Sequence, residues 1–193
     1  MSRFSLSAII RADSPRSHFS IGPKTPGDIV TSKLRIGFGE DSHRTEPGGP
    51  LRLGGVNVPH DRQLVGHSDA DVLLHAVTDA LLGAAALPDI GRTFPNTDPA
   101  HRHRDSAEML VVAAHKVTEA GYQIVNLDCV IHAERPKLAD YMDAIRHRIA
   151  GILHLNPHDV GLKAKTGEGV GPVGSGEVIV ARCVALVEGA GEP

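Results

Sequence analysis

Leu34, Ile36 and Phe38 alternate with Arg35 and Gly37, a period of two that predicts a short strand ending in Gly39-Glu40-Asp41-Ser42-His43. A second short strand is predicted over Leu51 to Val58. The period then becomes helical over Ser68 to Ala86, with Ser68 as N-cap and Asp71 three residues on as an acidic capping box, and Leu87-Pro88 ends the run. Asp105 or Ser106 caps a second helix to about Ala120, where Gly121 gives the stop signal. A strand over Tyr122 to Ala133, a helix opened by Pro136 and running to about Leu155, and strands at Val160 to Thr166 and Val178 to Glu188 complete the order β-β-α-α-β-α-β-β. That order predicts an α+β fold, a two-layer mixed sheet with helices on one face. The strands at 122–133 and 178–188 carry apolar residues in both phases of the alternation, as in strands buried on both faces. Too little chain remains for a second helical layer, so sheets of several copies are expected to pack together. Residues 1–32 mix Ser, Pro, Arg and Gly without periodicity and read as a flexible extension before a single domain over 33–190.

Composition narrows the function. With 193 residues, 41% hydrophobic and 22% charged, the chain can bury one sizeable core. Twenty basic against twenty-three acidic side chains give a formal charge of -3, too balanced for broad capture of nucleic acid or an anionic membrane. Aromatics at 3% and the absence of Trp remove base-stacking platforms. No stretch approaches the ~18 to 20 unbroken apolar residues of a membrane span. Cys129 and Cys183 sit in apolar, β-branched runs without CxxC spacing, which predicts buried free thiols in a reducing compartment, the cytoplasm. Few acidic residues in 1–32, Asp13 and Asp28 beside Arg3, Arg11, Arg16 and Lys24, make plastid or other organelle import the alternative. Twelve histidines are the unusual figure, imidazole being the commonest metal ligand.

Asp41 and His43 lie two apart in extended chain, so their side chains leave one face and can converge on one ion; a solvated strand end is the alternative. Asp71, His75 and Asp79 recur every four residues along an otherwise apolar helix, either as a solvent stripe or as an inward one. Asp41, His43 and His75 together would make a two-imidazole, one-carboxylate set leaving a tetrahedral zinc one open position, with Asp79 placed to orient His75. The segment from Lys163 to Gly176 is a strand followed by a glycine-rich loop. Its exposed amides could cradle phosphate and its Glu168 hold magnesium, or it could be a flexible link.

Gly39-Glu40-Asp41-Ser42-His43, the run from Gly66 to His75, Thr78-Asp79-Ala80-Leu81-Leu82-Gly83-Ala84, Asp89-Ile90-Gly91 and Phe94-Pro95-Asn96-Thr97-Asp98 resemble the 2-C-methyl-D-erythritol 2,4-cyclodiphosphate synthase family. The resemblance runs from about Leu34 to Glu188. It implies zinc at Asp41, His43 and His75, a magnesium or manganese ion at Glu168, and His67 and Thr166 as transition-state stabilisers. It places Asp41, Ser42, His43, His67, Ser68, Asp89 to Gly91, Phe94 to Asp98, Thr166 and Glu168 on the substrate, and Ala133, Pro136, Lys137 and Leu138 on a wall receiving cytidine, while Lys165, where this chain departs from the family, adds a cation expected near the nucleotide phosphates. It further implies a homotrimer with sites between neighbouring subunits. The implied reaction closes a cyclic diphosphate from a cytidine diphosphate ester with release of CMP, a step of non-mevalonate isoprenoid synthesis. A zinc-dependent phosphohydrolase and a catalytically silent trimeric metal-binding protein are the competing readings. The chain departs from the family pattern at Glu40, Asn96, Lys165, Pro172 and Ser175, where Phe, Asp, Thr, an aromatic and Arg are common.

Overall fold

The computed structural model describes residues 33–95, 97–99 and 104–190; the expected extension over 1–32 and the candidate Asn96 lie outside them. Among the described residues, seven strands, β1 (Leu34–Pro47), β2 (Leu51–Leu53), β3 (Val56–Val58), β4 (Arg62–Leu64), β5 (Tyr122–His132), β6 (Val160–Lys165) and β7 (Val178–Gly189), form two sheets. The larger has the order β4-β1-β7-β5-β6, with β5 and β6 parallel and the other pairs antiparallel; β2 and β3 form a separate hairpin. Three longer helices, α1 (Val72–Ala84), α3 (Ser106–Glu119) and α4 (Met142–Leu153), pack on the sheet, with one-turn helices α2 (Ile90–Thr93) and α5 (Gly171–Gly174) in the connections. The architecture is the expected mixed α+β arrangement of sheet and helices.

Several elements differ from expectation for physical reasons. The first strand continues to Pro47 because its far end pairs with β4, a short polar strand that carries almost no periodic signal. The expected strand over 51–58 is folded in two by Gly54 and Gly55, both at positive φ as a tight two-residue hairpin requires. Pro136 suits a first helical turn by its φ alone, but α4 begins only at Met142, after a 3-10 turn, where Ile145, Ile149 and Leu153 share a buried face. The first helix begins at Val72 rather than after Ser68, because Asp71 is its cap. Its carboxylate accepts the amides of Leu74 (3.1 Å), Gly54 (2.8 Å) and Gly55 (2.6 Å), tying the β2–β3 turn to the start of α1.

Burial pushes the Asp71 carboxyl above its ordinary range, and the amides of Gly55, Leu74 and Gly54 oppose that rise. Asp71→Ala should leave these buried donors unmet and cost roughly 2 to 4 kcal/mol. A lower urea midpoint with an unchanged slope is the expected measurement; an unchanged midpoint would refute the anchoring role.

Every residue of α1 except Asp79 and Gly83 is buried, so the polar stripe faces inward. The helix lies unusually close to β1. A Cβ at Gly37 would stand 1.9 Å from the Ala80 carbonyl oxygen, and one at Gly39 2.1 Å from that of Ala76, so only glycine fits on the strand. The opposite face of the sheet leaves Leu34, Ile36 (72% exposed), Phe38 (60%) and Val184 open, flanked by ion pairs Glu40–Arg182 and Lys163–Asp128.

Candidate active site

The α1–β1 seam carries His75 to the face of β1 that bears Asp41 and His43. Asp41 Oδ2 lies 2.8 Å from His43 Nε2 and 2.9 Å from His75 Nδ1, and the two ring nitrogens are 3.2 Å apart. The three donor atoms fall within 4.8 Å of one another. His43 Nδ1 donates to the Val65 carbonyl (2.7 Å), which leaves the lone pair of Nε2 facing Asp41. The second nitrogen of His75, Nε2, meets the hydroxyls of Ser106 (2.9 Å) and Ser68 (3.0 Å). Asp79 does not take the orienting place expected for it: its carboxylate accepts the Ile90 amide at 2.7 Å and so fixes the start of α2.

Burial would raise the Asp41 pKa, but hydrogen bonds and charge from His43 and His75 outweigh it and hold the carboxyl far below the usual range. His43 is shifted the other way: burial lowers it, and the Asp41 bond, the Val65 carbonyl and nearby acidic charge raise it above the ordinary imidazole value. What points to a metal is the geometry, three ligand atoms of types that bind metals within 4.8 Å of one another. Two imidazoles and a carboxylate suit zinc and leave one coordination position for a further oxygen.

These residues open on a cavity of about 220 Å³, lined also by His67, Ser68, Asp79, Ile90, Gly91, Phe94 and Met109. His67 is exposed at its rim. Asp89 caps α2 by accepting the Arg92 amide (2.8 Å), and Pro95, Thr97 and Asp98 follow as an exposed segment. Ser42 lies on the other face of β1, its amide donating to Asp41 Oδ1 at 2.8 Å.

The remaining candidates line a different cavity, of about 430 Å³: Ala133, Pro136, Lys137, Leu138, Lys165 and Thr166, together with Ala139, Met142 and Leu162 to Ala164. Thr166 Oγ1 donates to Glu168 Oε1 (2.7 Å), and Glu168 is exposed at φ +51°, a strained conformation for a residue with a side chain. In the glycine-rich loop the N–H groups of Gly167, Val170, Gly174, Ser175 and Gly176 are bonded within the chain, so it is a folded turn rather than a loose link. One chain therefore places Asp41, His43, His75, His67 and Ser68 on one cavity and Lys165, Thr166 and the cytidine-wall candidates on another. Met109 and Ser106 escaped the sequence reading because one reads as helix core and the other as a helix start.

Residues 34–188 match the YgbB family. The chain is 55% identical over 154 residues to a protein of Rhodopirellula baltica named 2-C-methyl-D-erythritol 2,4-cyclodiphosphate synthase, covering 80% of this chain and 93% of that one. A solved 2C-methyl-D-erythritol-2,4-cyclodiphosphate synthase in its CDP-bound form is similar with a TM-score of 0.75 and 39% identity, over 80% of this chain and 100% of that one. The bifunctional IspDF of Campylobacter jejuni is similar with a TM-score of 0.78 and 37% identity; the match covers 81% of this chain and spans 42% of that longer one.

Proposed function

The chain belongs to the YgbB family, and from that premise we propose that it converts 4-diphosphocytidyl-2-C-methyl-D-erythritol 2-phosphate to 2-C-methyl-D-erythritol 2,4-cyclodiphosphate with release of CMP. The observation that carries this reading is the convergence of Asp41, His43 and His75 at the mouth of a cavity shared with His67 and Ser68.

An oxygen of the 2-phosphate attacks the β-phosphorus and forms the new P–O bond. The bond from that phosphorus to the oxygen bridging the α and β groups breaks, and CMP leaves with the oxygen and its electron pair. Two anions must meet, so the barrier is dominated by repulsion and placement rather than by the need for a covalent nucleophile. Zinc held by Asp41, His43 and His75, and magnesium or manganese held by Glu168, would supply the positive charge that offsets this repulsion. His67 donates to the transferring group from the rim, and Thr166 donates its hydroxyl to the same group once it turns from Glu168. Asp89 to Gly91 and Phe94 to Asp98, Asn96 included, hold the methylerythritol part, while Ala133, Pro136, Lys137 and Leu138 receive the cytidine and Lys165 stands near its phosphates. The CDP-bound relative supports a nucleotide subsite of this kind.

The division of the candidates between two cavities supports a site completed by a second copy, and the exposed Leu34, Ile36, Phe38 and Val184 supply an apolar face for its assembly. The working unit is a homotrimer whose catalytic domain, residues 33–190, follows the N-terminal extension. We place it in the cytoplasm: Cys129 and Cys183 are free, buried and directly opposite across β5 and β7. Hydrogen bonding with Cys129 and burial push the Cys183 thiol well above its ordinary pKa. No helix among the described residues is long and apolar enough to cross a membrane.

Phosphorus NMR of the reaction with magnesium and zinc tests the proposal. A cyclic diphosphate with CMP is the expected product, and a linear phosphate would instead identify a phosphohydrolase. Glu168→Gln should keep its zinc but need roughly tenfold or more magnesium for half-maximal CMP release, the carboxylate charge having gone. An unchanged magnesium titration would remove Glu168 from the second metal.

A further inference from the structure

We propose that Ser106 and Asp69 are positioning residues for His75, joined to it in a relay that runs from His75 Nε2–H to the Ser106 hydroxyl and from that hydroxyl to the Asp69 carboxylate. The proposal rests on the reading of Asp41, His43 and His75 as metal ligands. Ser106 Oγ lies 2.9 Å from His75 Nε2, and it donates a hydrogen bond to Asp69 Oδ1. The direction of the relay follows from proton counting. A carboxylate can only accept, and a serine hydroxyl has one proton to give. The Ser106 proton goes to Asp69, so the oxygen is left to accept the proton on Nε2. A neutral imidazole protonated at Nε2 has its lone pair on Nδ1, the atom that faces Asp41 and His43.

The surroundings favour Ser106 over Ser68 as the permanent partner. Ser106 is fully buried, whereas Ser68 is partly exposed in the cavity wall and also receives the Ala70 amide at 3.3 Å. Asp69 Oδ2 is buried without a hydrogen bond, and its nearest cation is Arg52, with Nε 3.5 Å away. The same guanidinium reaches to 3.7 Å from Asp105, the cap of the helix that begins with Ser106. Arg52 on β2 thus holds the terminal carboxylate and the helix start together. His43 is fixed by a backbone carbonyl that no substitution can remove, but His75 depends on side chains, which makes the relay accessible to experiment.

Zinc affinity, measured by competition with a chromophoric chelator, tests this in the full-length protein. Asp69→Asn and Ser106→Ala should each weaken zinc binding roughly 10- to 100-fold. The double variant should lose little more than the worse single one, because both changes break one relay. Ser106→Thr keeps the hydroxyl and should stay within about threefold of wild type. Affinity within about twofold of wild type in both single variants, with zinc lost from His75→Ala, would overturn the relay while leaving the metal site standing. Losses that multiply in the double variant would also overturn it, since unrelated structural damage adds in free energy. A wild-type chain that holds no zinc would overturn the metal reading and the relay together.

Discussion

His75→Ala and Asp41→Ala should each purify without zinc and lose roughly a thousandfold or more of CMP-releasing activity, because several kcal/mol of charge stabilisation depart with the ion. Asp41 is the hinge of the set, with one oxygen within 2.9 Å of both imidazoles. Its loss leaves two ring nitrogens 3.2 Å apart with no anion between them. His75 contributes the only ligand from the helix side, so its removal leaves two donors from a single strand, too few for tight zinc binding. The fold should survive both changes, since the packing of α1 rests on its leucines, valines and alanines. Metal analysis of the purified variants, read beside their circular dichroism, decides the matter. Full zinc content in either would remove that residue from the ligand set.

Two inactive variants should restore each other when mixed. His75→Ala disables the first cavity and Thr166→Ala the second, and the proposed active site combines the first cavity of one subunit with the second of its neighbour. Random 1:1 assembly in a three-membered ring places an intact first cavity beside an intact second one in about a quarter of the sites. Coexpression, or unfolding and refolding of the mixture, should therefore recover about a quarter of wild-type activity from two nearly silent preparations. No recovery, with mixed trimers demonstrated by differently tagged subunits, would mean that each chain works alone.

The two halves of the metal set were legible separately and for simple reasons. A period of two put Asp41 and His43 on one face, and a spacing of four put His75 on the stripe with Asp71. Their meeting was not legible by periodicity, because it depends on Gly37 and Gly39 letting a helix carbonyl approach where any Cβ would collide. Ser68 and Asp71 are both good caps, and local chemistry cannot rank them; the choice is made by the Gly54 and Gly55 amides, which need an acceptor from 16 or 17 residues away. Asp79 looked like a partner of His75 because it lies one turn on, yet the fold brings the Ile90 amide to it first. The glycine-rich loop was legible only in part: composition advertises free amides, and only the three-dimensional hydrogen bonding reveals which of them are in use.

The ends of the large sheet restrict how copies can meet. On one side β4, three residues long, covers only Thr45 to Pro47 of β1, and Leu34 to Arg44 form the rest of that margin. The other is β6, where Lys163, Ala164 and Lys165 are exposed and an incoming strand would have to lie beside two ammonium groups. Strand addition is thus discouraged at the β6 margin, while the apolar side of the sheet lies open to a neighbour.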